Sequence, residues 1–183
     1  MIVAFSTSCQ LASVAVFGND GELIDARQGE SARNAAAACF QQMTEMGIEV
    51  NKVDRYVADV GPGSFAGVRV GVMLAKTLAW TRGLLVAGVS SFDLIAHDQV
   101  VSLPGRKGQW LVREPGSMVQ TSTEFVGVGY GTGTDHRDYP HAKNAGALLE
   151  SIVWMPAMEL VPEYFLAPSI SEPKTPFRLE GSP

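Results

Sequence analysis

The stretch Gly61-Pro62-Gly63-Ser64-Phe65-Ala66-Gly67-Val68-Arg69-Val70-Gly71 carries the residue types best suited to chemistry in this chain. It reads as a strand end, a glycine turn and a helix start. A helix that begins at such a turn presents unpaired backbone N–H groups, and these attract anions. Gly63 lets the chain turn, and Ser64 is placed to cap the helix. Gly61, Gly63 and Ser64 are therefore the candidate phosphate-binding, and so cofactor-binding, residues. The same glycines also suit a tight turn that needs them for geometry alone. The stretch is not a Walker A loop, because Gly-Lys-Ser/Thr is absent. Its third glycine falls one place late for Gly-x-Gly-x-x-Gly.

Other chemistry finds less support. His97, His136 and His141 lack the spacing of a metal pair, and there is no His-Glu-x-x-His, so no metal site is expected. Cys9 and Cys39 form no Cys-x-x-Cys, and no local signature joins a serine or cysteine to a histidine and a carboxylate. Cys39 reads as packing, and Asp59, at the strand end, as a solvated carboxylate. Gly127, Gly129, Gly131 and Gly133 alternate as in a nucleotide loop, but a flexible glycine loop is the plainer expectation. The 14 Lys+Arg against 19 Asp+Glu give a net charge of −5, a poor basis for holding nucleic acid alone. Hydrophobic residues at 46% of the chain supply a core and exclude general disorder. No apolar run is long enough for a membrane helix, and the start lacks a basic leader. A soluble cytoplasmic protein is expected.

The elements that position these residues follow from composition and turn signals. Residues 2–5 and 11–17 read as strands, Gly18-Asn19-Asp20-Gly21 as a hairpin turn, and residues 22–27 as a third strand. The alanine run within 31–46 predicts a helix stopped by Gly47. A strand at 56–60, a helix at 65–82 stopped by Gly83, a strand at 84–89 and a helix from Ser90 or Ser91 to Gln99 complete a β-β-β-α-β-α-β-α order. Beyond residue 100, strands are expected at 100–103, 110–113 and 124–130, and a helix at 142–155. The prolines from Pro156 on predict extended chain or loop over the last twenty-odd residues. The boundary thus falls between residues 1–99 and 100–183.

The helices carry a second pattern. Gly67, Gly71, Ala75 and Ala79 recur every four residues and so share one face, flanked by Val68 and Val72. The preceding helix offers Ala35, Ala38 and Cys39. A face of small residues lets another backbone approach closely. These nine residues are the candidate partner interface; packing on the helix's own sheet would use the same pattern. A bulky charge at Gly71 or Ala75 is expected to break such a pairing.

The signature closely resembles GPGSFTGVRIG of the TsaB (YeaZ) family, with Ala66 in place of the usual Thr. The first strand at Ile2–Phe5, Ser13-Val14-Ala15-Val16, Gly88-Val89-Ser90-Ser91 and Pro162-Glu163-Tyr164 agree with it. The resemblance is good over residues 1–99 and weak beyond. It implies an α/β protein of the actin-like ATPase (ASKHA) fold, with two RNase H-like lobes of mixed sheets and helices, the second trimmed here. It further implies a non-catalytic scaffold for TsaD, a paralogue that transfers threonylcarbamoyl to adenosine 37 of tRNA. Pairing would use the two N-terminal helices. A TsaE-like ATPase would join the complex, a homodimer would form when the chain is alone, and tRNA would be met only through the complex. Family members that do chemistry differ at two places. TsaD carries His-x-x-x-His on the first helix, where this chain has Arg33 and Asn34. ATPases of the fold keep an acid on the first strand, where this chain has Ser6-Thr7-Ser8. No cofactor is therefore expected. The alternative is a nucleotide-binding ATPase using Ser6–Ser8 and Gly61–Ser64. An old peptidase label on such sequences lacks its histidine pair here.

Overall fold

A computed structural model of the chain describes residues 1–31 and 34–165. Its centre is a six-stranded mixed sheet. β1 (Ile2–Ser6), β2 (Leu11–Phe17) and β3 (Leu23–Glu30) form an antiparallel meander, with Ile2 opposite Phe17 and Ser6 opposite Ser13. β4 (Arg55–Gly61) lies parallel to β1, and β5 (Leu85–Ser90) parallel to β4. The order β10-β5-β4-β1-β2-β3 is completed by a two-residue edge strand, β10 (Met155–Pro156). A proline is tolerated there because an edge strand can leave one side unpaired.

Strand alternation divides the core in two. Val3, Phe5, Val14, Tyr56 and Ala58 point to the face covered by α1 (Ala35–Glu45) and α2 (Phe65–Trp80). Ile2, Ala4, Ala15, Phe17 and Val57 point to the other face, beneath Ala142, Ala145 and Leu149. β1 is therefore apolar at both parities, as a strand buried on two sides must be. Asn34 caps α1 by accepting from the Ala37 N–H, and Ser64 caps α2 by accepting from the Gly67 N–H. Both helices end where anticipated, at Gly47 and Gly83 in the left-handed region. There the N–H groups of Ile48 and Leu84 return to the carbonyls of Met43 and Ala79. Ala32 and Arg33, within the helix anticipated from residue 31, lie outside the described residues, as does the proline-bearing stretch from residue 166 on.

The second sheet is small, in the order β8-β7-β6-β9. β6 (Val101–Pro104) and β7 (Trp110–Arg113) fall where the apolar runs place them. β8 (Gln120–Ser122) was not anticipated, since its polar residues give no alternation. The strand expected over 124–130 shrinks to β9 (Val128–Gly129). The alternating glycines are the reason, and they do not form a loose loop. A Cβ on Gly129, whose φ is +146°, would fall 1.9 Å from the Ser102 carbonyl oxygen. They instead allow backbone to lie directly against β6.

Two helices are shorter than expected. α3 spans only Ser91–Ile95, because the Asn144 side chain and the His141 N–H take the carbonyls of Leu94 and Ile95 that further turns would use. The helix expected over 142–155 is a 3₁₀ segment, Ala142–Leu148, pressed flat on β2. Gly146 sits where a Cβ would lie 2.8 Å from the Phe17 ring. The chain thus returns to the first sheet by Ala142. Residues 142–160 pack with the N-terminal lobe, and the second lobe is confined to about residues 101–139, unlike a boundary that assigns everything after residue 99 to it. Arg113 pairs with Asp93 and lies over the Phe92 ring, joining β7 to α3 across the two lobes.

Candidate functional site

The site is assembled where β1, β4 and β5 end together. Parallel pairing of β1 with β4 sets Phe5 opposite Ala58, so the next step brings Ser6 beside Asp59. Asp59 is completely buried. The hydroxyls of Ser6 and Ser8 each donate to its Oδ2 at 2.6 Å, and the Ser91 hydroxyl donates to Oδ1 at 2.5 Å. The Gly61 N–H donates to the same Oδ1 at 2.9 Å. The expectation of a solvated strand-end carboxylate is therefore wrong. Burial pushes the Asp59 carboxyl above its ordinary value, and the three hydroxyls and the N–H pull the other way. The clue in the sequence was a lone acid inside Tyr56-Val57-Ala58-Asp59-Val60, an otherwise apolar strand. A buried charge there needs donors, and the serine-rich ends of β1 and β5 supply them.

Above this cage lies a cleft of about 790 Å³ between the lobes. Its floor is the Thr7–Gln10 turn and the N-terminus of α2, and Pro104, Gly105 and Tyr130 form the far wall. Of the candidate phosphate residues, Gly63 and Ser64 line the cleft and Gly61 lies behind it. The turn is tightly packed. The Ser64 N–H donates to the Ser8 carbonyl at 2.6 Å, and a Cβ on Gly63 would fall 2.4 Å from that oxygen. Two backbone N–H groups of the turn, those of Gly61 and Ser64, are thus committed to the protein itself. Among the described residues, no Lys, Arg, His, Asp or Glu lines this cleft. Cys9 lines it, but burial pushes its thiol up to about 11, so it stays protonated and weakly nucleophilic at neutral pH. Among the described residues, no group of three or more His, Cys, Asp or Glu could hold a metal ion. His141 and His136 are not brought together: His141 caps the 3₁₀ segment, and His136 lies against the Phe125 ring.

Six of the nine candidate interface residues face inward, which corrects their assignment as a contact surface. Cys39, Val68, Gly71, Val72, Ala75 and Ala79 are buried within this chain. A Cβ on Gly67 would fall 2.1 Å from the Thr7 carbonyl oxygen, and one on Gly71 2.5 Å from the Thr7 hydroxyl. The backbone admitted by the small face is the chain's own β1–β2 turn. Ala35, Ala38 and Gly67 keep partial access. The outward side of the two helices carries other residues: Phe40 on α1, and Phe65, Arg69, Met73, Thr77 and Trp80 on α2. Trp80 is 67% exposed and Met73 55%. Sequence reasoning missed these. Their i, i+4 spacing (Phe65, Arg69, Met73, Thr77) was legible, but it mixes polar and apolar types. Residues 157–165 run along one flank of α2. There Lys76 donates to the carbonyls of Met158 and Leu160, and Tyr164 packs on Phe65 at 4.8 Å.

Comparison with known proteins agrees with this architecture. A family model described as TsaD, tRNA N6-adenosine threonylcarbamoyltransferase, matches residues 28–112. The tRNA threonylcarbamoyladenosine biosynthesis protein TsaB of Bacillus subtilis (strain 168) is 32% identical over 98 residues, 52% of this chain and 43% of that protein. A tRNA N6-adenosine threonylcarbamoyltransferase of Streptococcus pneumoniae (strain Hungary19A-6) is 35% identical over 102 residues, 45% of this chain and 30% of that protein. The chain thus matches less than half the length of these curated relatives. Two solved structures share the fold. A protein from Pseudomonas aeruginosa described as similar to peptidase YEAZ has a TM-score of 0.68 at 19% identity, over 89% of this chain and 98% of that one. YeaZ from Pseudomonas aeruginosa has a TM-score of 0.66 at 20% identity, with the same coverage. The fold is the actin-like, RNase H-like one anticipated, and the resemblance to the TsaB (YeaZ) family stands.

Proposed function

We propose, from the premise that the chain is a TsaB (YeaZ)-type protein, that it is a non-catalytic scaffold subunit in the threonylcarbamoylation of adenosine 37 of tRNA. It pairs with a TsaD-like transferase in the cytoplasm, with a TsaE-like ATPase joining the complex. Alone, it forms a homodimer. It meets tRNA through the assembly. Among the described residues no helix is long and apolar enough to cross a membrane.

The observation that carries this reading is the outward side of α1 and α2. Phe40, Met73 and Trp80 are large apolar side chains left in water on helices whose inner faces are already packed. Such residues are what a desolvated contact uses. The pairing surface is therefore this outer side, not the small-residue face. Met73→Glu and Trp80→Glu are expected to leave folding intact and to abolish co-elution with the co-expressed transferase of the same organism. Size-exclusion chromatography reads the result, and unchanged co-elution of both variants sinks the assignment. The cleft at the α2 N-terminus favours a second reading, nucleotide binding by this chain. Micromolar binding of magnesium-ATP to the isolated protein in calorimetry would support it. Among the described residues that line the cleft, none is a cation that would offset phosphate charge.

A further inference from the structure

A second cleft, of about 460 Å³, opens on the outer end of the small sheet. It differs in chemistry from the cleft between the lobes. Arg106 and Lys107 line it, and among the described residues no carboxylate does, on a chain whose net charge is −5. Both cations sit on an exposed loop between β6 and β7. That loop is held in shape: the Gly105 N–H donates to the Gln109 carbonyl at 3.0 Å, and the Gln109 N–H to the Arg106 carbonyl at 2.8 Å. Trp110 forms the adjoining wall. Its ring lies over Gly131, where a Cβ would come within 2.6 Å of it, so only glycine admits this placement. Phe125 meets Trp110 edge-on at 5.0 Å, and His136 stacks on Phe125 at 4.7 Å. Thr123 and Thr132 add hydroxyls at the rim.

The geometry points to a binding site for a nucleoside phosphate unit, either as a free nucleotide or within single-stranded RNA. An aromatic side chain, Trp110, beside two neighbouring cations fits a base joined to a phosphate. Stacking on aromatic rings accepts any base, and the cations follow the backbone. The volume lies within the range of small-ligand sites. The charge balance of the whole chain does not oppose this, because binding responds to the local field. The site is distinct from the pairing face, so it holds or fails independently of the scaffold reading.

The test uses the full chain and two probes at low salt. One is a fluorescent oligoadenylate of about eight nucleotides, a length typical of such sites, read by anisotropy. The other is AMP, read by calorimetry. At least one probe is expected to bind and to lose tenfold or more in the Arg106→Glu/Lys107→Glu variant, whose changes fall on the exposed loop. For the oligomer, two neutralised phosphates give a slope of about −1.4 in log affinity against log salt. Trp110→Ala is expected to weaken binding roughly tenfold through lost stacking. Because Trp110 also packs on Gly131, the charge-reversal pair carries the decision. Loss for AMP alone assigns the site to a free nucleotide, and loss for the oligomer assigns it to a strand. If neither probe binds, or neither is weakened by the charge reversal, the site is refuted.

Discussion

Asp59→Ala is expected to lower the unfolding free energy by about 4 kcal/mol, read from urea titration. Four donors converge on this carboxylate: the hydroxyls of Ser6, Ser8 and Ser91, and the Gly61 N–H. Each buried donor left without a partner costs about 1–3 kcal/mol. The hydroxyls can rotate towards other acceptors, which keeps the total below four full penalties. The Gly61 N–H cannot rotate, because its φ of +103° and the packing of Glu163 against it fix the turn. Asp59→Asn keeps the volume and one acceptor oxygen, so its loss should be smaller, about 1–2 kcal/mol.

The same pair of proteins tests the charge state. Burial raises the Asp59 carboxyl above its ordinary value of 3.8. An acid whose folded value exceeds its unfolded value binds its proton more tightly in the native state. Its contribution is full below the unfolded value and declines as pH rises towards the folded one. The Tm of the parent minus that of Asp59→Asn should therefore fall as pH is raised from about 4. A difference that grows with pH would mean that the four donors outweigh burial and that the native carboxyl is ionised.

Much of the first lobe was legible because its signals are local. Gly18-Asn19-Asp20-Gly21 sets the first hairpin, and Ser64, Gly47 and Gly83 mark helix ends by their own chemistry. The second half has few such signals. β8 is three polar residues paired with its neighbour β7, whereas β9 is two residues long and β10 includes a proline, so partners distant in sequence, β6 and β5, decide those two. The candidate site failed in a different way. The spacing Gly67, Gly71, Ala75, Ala79 correctly announced a close approach, but spacing does not say whose backbone approaches. Thr7, some sixty residues earlier, was the answer. Asp59 failed because a strand end was equated with solvent. The same strand end is roofed by Ser91 and the Ser8 turn.

That correction separates two substitutions which sequence reasoning treats alike. Ala75→Arg is expected to remove more than about 4 kcal/mol and to yield insoluble chain on expression. Ala75 is fully buried, in the cluster that holds Val3, Phe5 and Tyr56. An arginine there must either displace that core or bury an unpaired guanidinium, and each is costly. Gly71→Glu meets the Thr7 hydroxyl at once and should behave similarly. Met73→Glu and Trp80→Glu lie on the same helix, two residues before and five after Ala75, with most of their side chains in water. Surface changes of this kind usually alter stability by no more than about 0.5 kcal/mol. Thermal melts of the four variants should therefore fall into two groups that follow inward or outward placement on α2. If Ala75→Arg melts like the parent and loses only its partner, the small-residue face is open after all and the helix packs the other way round.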